Sequence, residues 1–202
     1  MKLSLIADLS IPVVERIVLL QEDLDDPLHY LNVDVTWFPA ERIRLTLCDF
    51  RGDIDAARMR LLSELSTLVS SHADFSVRTV GAEYAPSESR PRLAIVRHEP
   101  HAGLLALREA ACALGAELAL TPDDTPWSPV TAFGRIKGPS DRLQGVLRPY
   151  QDTPFGESNI CELLLVSSQV RRGRAESRVE RRFSLSPSPS ATSGSSSDPA
   201  LA

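Results

Sequence analysis

Ile43-Arg44-Leu45-Thr46-Leu47 and Pro129-Val130-Thr131-Ala132-Phe133-Gly134-Arg135 are the two stretches on which the reading of this chain turns. In a β-strand, residues two apart point to the same face. The first stretch then puts Ile43, Leu45 and Leu47 on one face and Arg42, Arg44 and Thr46 on the other, the pattern of a half-buried strand. The second puts Val130 and Ala132 together. Thr131 and Arg135 share the opposite face if the strand is regular, and a bulge near Gly134 changes that parity.

Strands and helices alternate around these stretches. Leu3 to Ala7 reads as a strand. A helix follows from about Pro12, with Val13, Ile17 and Leu20 on one face and proline suited to its first turn. Glu22-Asp23 and Asp25-Asp26 then mark a solvated end or loop. Arg42 to Leu47 is a strand. Asp53 is an N-cap for a helix on which Ala57, Leu61, Leu65 and Leu68 recur at helical spacing. Phe75 to Val80 is a strand. The second half repeats the plan, with a strand over Arg92 to Val96. A helix follows over His101 to Leu114, carrying Leu104, Leu107, Ala111 and Leu114, with Gly115 as its stop. Further strands cover Pro129 to Ile136, Ile160 to Val166 and Arg178 to Leu185. After Leu185 comes Ser-Pro-Ser-Pro-Ser and a Ser/Gly/Ala run with almost nothing to bury, so residues 186–202 are expected to be disordered.

Taken in order and spacing, these pieces resemble the two-histidine (2H) phosphoesterase superfamily, which includes RNA 2',3'-cyclic phosphodiesterases and 2'-5' RNA ligases. Leu3 to Leu9 with Pro12-Val13-Val14-Glu15-Arg16 resembles the family's first strand and helix. Trp37, Pro39 and Glu41-Arg42-Ile43 resemble the lead-in to its first motif, and Pro91 to Val96 a core strand. Leu163 to Ser168 and Arg181 to Leu185 resemble its closing pair of strands. The resemblance implies an α+β fold over residues 1–185. Two pseudo-repeated lobes of antiparallel sheet, with helices packed outside, are expected to flank a central cleft.

The family carries His-x-Thr on each of two strands facing the cleft, one imidazole serving as general base and the other as general acid around a phosphate. Neither histidine is present here. Arg44 stands where the first belongs, beside a retained Thr46. An arginine does not give up its proton at neutral pH and cannot be the base, but its planar fork is an excellent phosphate ligand. In the second stretch Val130 takes the histidine slot and Ala132 the threonine slot without gaps, while Arg135 matches an arginine that follows the family motif. Shifting the register by one places Pro129 and Thr131 there instead. The expected phosphate-binding set is therefore Arg44, Thr46, Arg42, Thr131 and Arg135, with no catalytic residue assigned.

The remaining chemistry is sparse. None of the histidines, His29, His72, His98 and His101, lies in an H-x-T or H-x-S pattern. His98-Glu99-Pro100-His101 resembles a metal pair, but two ligands do not make a closed site, and neither metal nor cofactor is expected. His72 follows Ser70-Ser71 at a helix end, where a cation is favourable. Cys48, Cys112 and Cys161 have no metal-ligand or C-x-x-C spacing and read as small core residues in a reducing compartment. Arg171-Arg172-Gly173-Arg174, with Arg178, Arg181 and Arg182, reads as an exposed turn between closing strands. There is no P-loop, dinucleotide turn or nucleophile elbow.

Among 202 residues, 43% are hydrophobic and 24% charged, enough for a sizeable core. A net charge of −5 excludes a global basic field that draws in nucleic acid. The apolar start breaks at Asp8, and no stretch is long enough to span a bilayer, so a cytoplasmic protein without membrane contact is expected. Three functions remain open. The chain is a degenerate family member that binds a phosphate-bearing nucleotide or RNA end without turnover, an active cyclic phosphodiesterase with an altered site, or a scaffold that binds a protein partner.

Overall fold

The structure, a computed structural model, describes residues 2–122, 127–137, 143, 145–171 and 174–188. In chain order the elements are β1 (Lys2–Asp8), α1 (Ile11–Tyr30), β2 (Asp34–Trp37), β3 (Arg44–Arg51), α2 (Ile54–Ser70), β4 (Phe75–Ala85) and β5 (Leu93–His98). Then follow α3 (Ala102–Glu117), β6 (Thr121–Pro122), β7 (Val130–Lys137), β8 (Glu157–Ile160), β9 (Glu162–Arg171) and β10 (Arg174–Ser184). Among the described residues the strands form two antiparallel sheets. The first has the order β10-β9-β1-β3-β6 and the second β2-β7-β5-β4-β8. Helices α2 and α3 pack on the first sheet and α1 on the second, while β3 and β7 abut where the sheets meet. This is the α+β arrangement expected, with helices outside and a cleft between sheets. Each sheet draws strands from both halves of the chain, so the lobes are interleaved rather than successive.

The helices form where apolar residues recur at 3–4 spacing. Val13, Ile17, Leu20, Leu24 and Leu28 make the buried stripe of α1. The helix continues through Glu22 to Asp26, where the run of acids predicts an end or loop. The acids at 22, 23, 25 and 26 are exposed on its outer face, between the core positions Gln21, Leu24 and Leu28. Asp53 caps α2, accepting from the Ala56 N–H at 3.2 Å. Val69, not Leu68, completes that helix's buried stripe. Helix α3 buries Leu104, Leu107, Ala111 and Leu114 and runs past Gly115 to Glu117. Gly115 serves close approach instead of termination, because a Cβ there would stand 3.0 Å from the Phe50 ring.

The chain remains docked for three residues beyond Leu185. Ser186 pairs with Ala73, its hydroxyl donates to the Ser70 carbonyl at 2.5 Å, and the Ser188 N–H donates to Asp74 at 2.8 Å. Residues 186–188, which fall in the stretch expected to be disordered, are thus held in place, and the rest of that stretch, residues 189–202, lies outside the described residues. No helix among the described residues is long and apolar enough to cross a membrane.

Candidate functional site

Strands β3 and β7, which carry the two stretches that open the sequence reading, both bulge at the same offset. In β3, Thr46 pairs with Ile6 and Cys48 with Leu5, so Leu47 is the extra residue. In β7, Ala132 pairs with Ile95 and Gly134 with Ala94, so Phe133 is the extra residue. Arg44 and Thr46 precede the first bulge as Val130 and Ala132 precede the second, and all four line one cleft of about 680 Å³. The ungapped register is therefore the one that gives the two strands equivalent places.

A bulge reverses the parity of everything after it. Asp49, paired with Ser4, returns to the cleft face of β3. Arg135 is paired with Leu93, itself a cleft-lining residue, and so returns to the cleft face of β7, where it is exposed. Thr131 precedes the bulge and keeps its opposite parity. It is fully buried, and its hydroxyl shares a 2.8 Å hydrogen bond with Nε2 of His98 behind the sheet. The structure thus brings Arg42, Arg44 and Thr46 into the cleft wall and Arg135 onto the same side, and turns Thr131 away.

The second bulge is held from behind by Gln21. Its buried amide donates to the Phe133 carbonyl and the Phe38 carbonyl, both at 2.8 Å, and the Phe38 N–H also donates to the Phe133 carbonyl at 2.9 Å. Buried polar groups are expensive to leave unpaired, so this amide fixes α1, the β2–β3 connection and β7 together. Trp37 lies parallel to Phe133 with ring centroids 6.0 Å apart.

Arg44 forms an ion pair with Asp8, its strand neighbour, Nε to Oδ1 at 2.9 Å. Arg42 lies over the Phe38 ring, 5.0 Å from its centroid. Two further residues escaped sequence reading. Arg108 of α3 lines the cleft with its guanidinium 4.8 Å from the Trp127 ring centroid, and Trp127 donates its indole N–H to the Thr46 carbonyl at 3.2 Å. Among the described residues Arg108 Nε is buried without a hydrogen-bond partner. Nothing in the local pattern of either residue marks it, since each reaches the cleft only through tertiary packing. The cleft carboxylates are engaged. Asp49 accepts from Lys2 Nζ at 2.8 Å and from the Ser4 hydroxyl at 2.5 Å, and Glu83 pairs with Arg97 at 3.1 Å. The wall formed by Val130, Ala132, Leu93 and Ile95 is apolar.

The cysteines are not all simple core residues. Cys48 and Cys112, 64 positions apart in sequence, meet with their sulfurs 3.3 Å apart and both line the cleft. Burial, reinforced by Cys112, pushes the Cys48 thiol well above its ordinary range. Cys161 is exposed between β8 and β9.

Three of the histidines serve the fold. Burial holds His98 down to about 4, so its imidazole is neutral near pH 7. His101 caps α3, accepting from the Gly103 N–H at 3.1 Å, and stacks on Phe75. His72 bonds the Leu68 carbonyl at the end of α2 through Nδ1, at 2.8 Å. Among the described residues no group of three or more metal-ligating side chains gathers. Of the basic run, Arg171 ends β9 and Arg174 begins β10, Arg172 and Gly173 lie outside the described residues, and Arg182 pairs with Glu162 at 2.6 Å.

Known proteins share this architecture. No family model matches the chain. An RNA 2',3'-cyclic phosphodiesterase of Aquifex aeolicus is 26% identical over 144 residues, covering 69% of this chain and 76% of that protein. Among solved structures, TT0787 of Thermus thermophilus superposes with a TM-score of 0.78 at 24% identity, covering 93% of this chain and all of that one. LigT of E. coli, solved with ATP, gives 0.67 at 20% identity, covering 92% of this chain and 98% of that one. LigT has also been solved with 3'-AMP and with phosphate. The chain has the two-histidine phosphoesterase fold and is related in sequence to an RNA 2',3'-cyclic phosphodiesterase.

Proposed function

We propose that the cleft binds a phosphate-bearing nucleotide or RNA end without efficient turnover. The observation that carries this reading is the placement of Arg44 and Thr46 side by side on one wall, facing Val130 and Ala132 on the other. A guanidinium and a hydroxyl on adjacent same-face positions offer an anion charge-assisted donors. Arg42 and Arg135 add positive charge on the same side. A phosphoryl transfer through this pair of strands needs a proton acceptor and a proton donor across the phosphate. A guanidinium is no proton acceptor at neutral pH, and the side chains of Val130 and Ala132 have no proton to move. Complexes of LigT with ATP, 3'-AMP and phosphate support a phosphate-bearing ligand, and the A. aeolicus relative supports an RNA end with a 2',3'-cyclic phosphate.

The test is a titration of labelled short RNA ending in a 2',3'-cyclic phosphate, following binding and conversion together, with Arg44→Ala alongside. Salt-sensitive binding without conversion, lost in the variant, is the expected result. Conversion by the native chain that Arg44→Ala abolishes makes it an active phosphodiesterase with an altered site. The apolar wall of Val130, Ala132, Leu93 and Ile95 favours a second reading, a partner-binding protein with a vestigial cleft. Stable association with another protein, untouched by Arg44→Ala, is its signature.

A further inference from the structure

We infer that Cys48 and Cys112 form a redox-active dithiol in the cleft wall, which closes to a disulfide when a low-molecular-weight disulfide reaches it. Their sulfurs lie 3.3 Å apart, one on β3 and one on α3. A disulfide holds its sulfurs about 2.05 Å apart, so closure draws them together by roughly 1.3 Å. Cys112 is half-buried and Cys48 fully buried, which assigns their roles. The Cys112 thiolate attacks one sulfur of the oxidant, forming a mixed disulfide and releasing a thiolate. Cys48 then gives up its proton and attacks the Cys112 sulfur, releasing the second thiol. The two protein thiols lose two protons and two electrons, and the oxidant is reduced to two thiols.

Burial, the neighbouring Cys112 and the Asp49 carboxylate disfavour the Cys48 thiolate, while the nearby Arg108 guanidinium favours it. The second step is therefore the slow one and quickens as pH rises. The link has a direct path to the ligand site. Arg108 is one helical turn before Cys112, and Cys48 is two residues beyond Thr46. Closure ties the helix carrying Arg108 to the strand carrying Thr46, with Trp127 already bridging the two through its ring and its indole N–H. This effect on ligand binding rests on the function proposed above, whereas the covalent step does not.

The experiment exposes the full chain to oxidised glutathione across pH 6.5–9 and maps thiols by mass spectrometry without reduction. The expected product lacks two hydrogens, contains a Cys48–Cys112 linked peptide, and melts roughly 5–10 °C higher than the reduced chain. Cys48→Ser instead accumulates glutathione on Cys112. On closure, affinity for a 3'-phosphorylated nucleotide shifts at least threefold and returns with reductant, and Cys112→Ser shows no such shift. The inference is overturned if Cys161 is fully modified while Cys48 and Cys112 both stay free. It is equally overturned if glutathione stays on Cys112 of the native chain without a link. A link that leaves affinity unchanged overturns its coupling to the site. A reduced chain that binds no nucleotide overturns the proposed function instead, and the mass result is read independently.

Discussion

Asp8 holds the Nε edge of Arg44 from the neighbouring strand, 2.9 Å away, so the cation on the cleft wall is positioned by a carboxylate beside it. That carboxylate also opposes any anion approaching the guanidinium. The pair is partly exposed, with side-chain exposures of 27% for Arg44 and 49% for Asp8, so water and salt screen the effect. Asp8→Asn keeps the side chain's shape and removes its charge. Phosphate affinity should rise about two- to fivefold, since a unit charge at contact distance in water is worth about 1 kcal/mol. Isothermal titration at two salt concentrations reads this, and weaker binding in the variant would show that orientation outweighs charge.

Removing the donors themselves has a larger effect. Hydrogen bonds to charged groups are worth about 1.5–3 kcal/mol, so Arg44→Ala should weaken nucleotide binding by roughly 10- to 100-fold. Thr46→Ala, which removes one neutral hydroxyl, should cost about two- to tenfold. Loss of Arg44 should also flatten the salt dependence, because one fewer cation faces the phosphate. Equal losses at low and high salt would count against a phosphate contact at Arg44.

If the missing imidazoles are what prevents turnover, restoring them should restore chemistry. The matched bulges of β3 and β7 give Arg44 and Val130 equivalent places. Arg44→His, Val130→His and Ala132→Thr together should bring measurable opening of a 2',3'-cyclic phosphate, with the bell-shaped pH profile of an acid–base pair. A native chain that already turns over as fast as the triple variant defeats the degenerate reading.

Behind the sheet, His98 makes stability depend on pH. Its folded pKa is held to about 4 by burial, below the ordinary 6.5. In the unfolded chain the imidazole takes up a proton first, so stability is full above about pH 6.5 and is lost as pH falls toward 4, levelling below that. The loss approaches about 3 kcal/mol. Urea midpoints at pH 7.5 and 4.5 should show it, and the difference should shrink in His98→Gln, which keeps a polar partner for Thr131. An unchanged difference in that variant would assign the pH dependence to other groups.

The wall around Phe133 tolerates little added volume. A Cβ on Gly134 would stand 2.7 Å from the Trp37 ring, so Gly134→Ala must displace an indole stacked on Phe133 and bonded to Asp25 at 2.9 Å. The expected cost is about 1–3 kcal/mol. Gln21→Leu should cost about 1–3 kcal/mol by removing two hydrogen bonds, to the Phe38 carbonyl and to the Phe133 carbonyl, of which only the latter keeps a second donor, the Phe38 N–H. Denaturant melts of both variants check these values, and a change within about 0.5 kcal/mol in either would put the rigidity elsewhere.

Much of the fold was legible because it depends on local pattern. The stripes of α1, α2 and α3, the cap at Asp53 and the alternation of β3 are written at spacings of two to four residues. The acids of α1 misled because charge on an outer helical face and charge in a loop look alike in sequence. The parity of Thr131 and Arg135 was undecidable, since an extra residue in a strand leaves no compositional mark and shows only in pairing with β5. Arg108, Trp127 and the Cys48–Cys112 contact were invisible for another reason, because each is made between elements far apart in the chain.

Interleaving of the two sheets governs how the molecule comes apart. The chain passes from one sheet to the other six times, at β1–β2, β2–β3, β3–β4, β5–β6, β6–β7 and β8–β9. No single cut releases an intact lobe, because each sheet takes strands from both halves of the chain. Unfolding should therefore be a single cooperative event in which the cleft is lost with the core, rather than a sequence in which one half survives as a binding fragment.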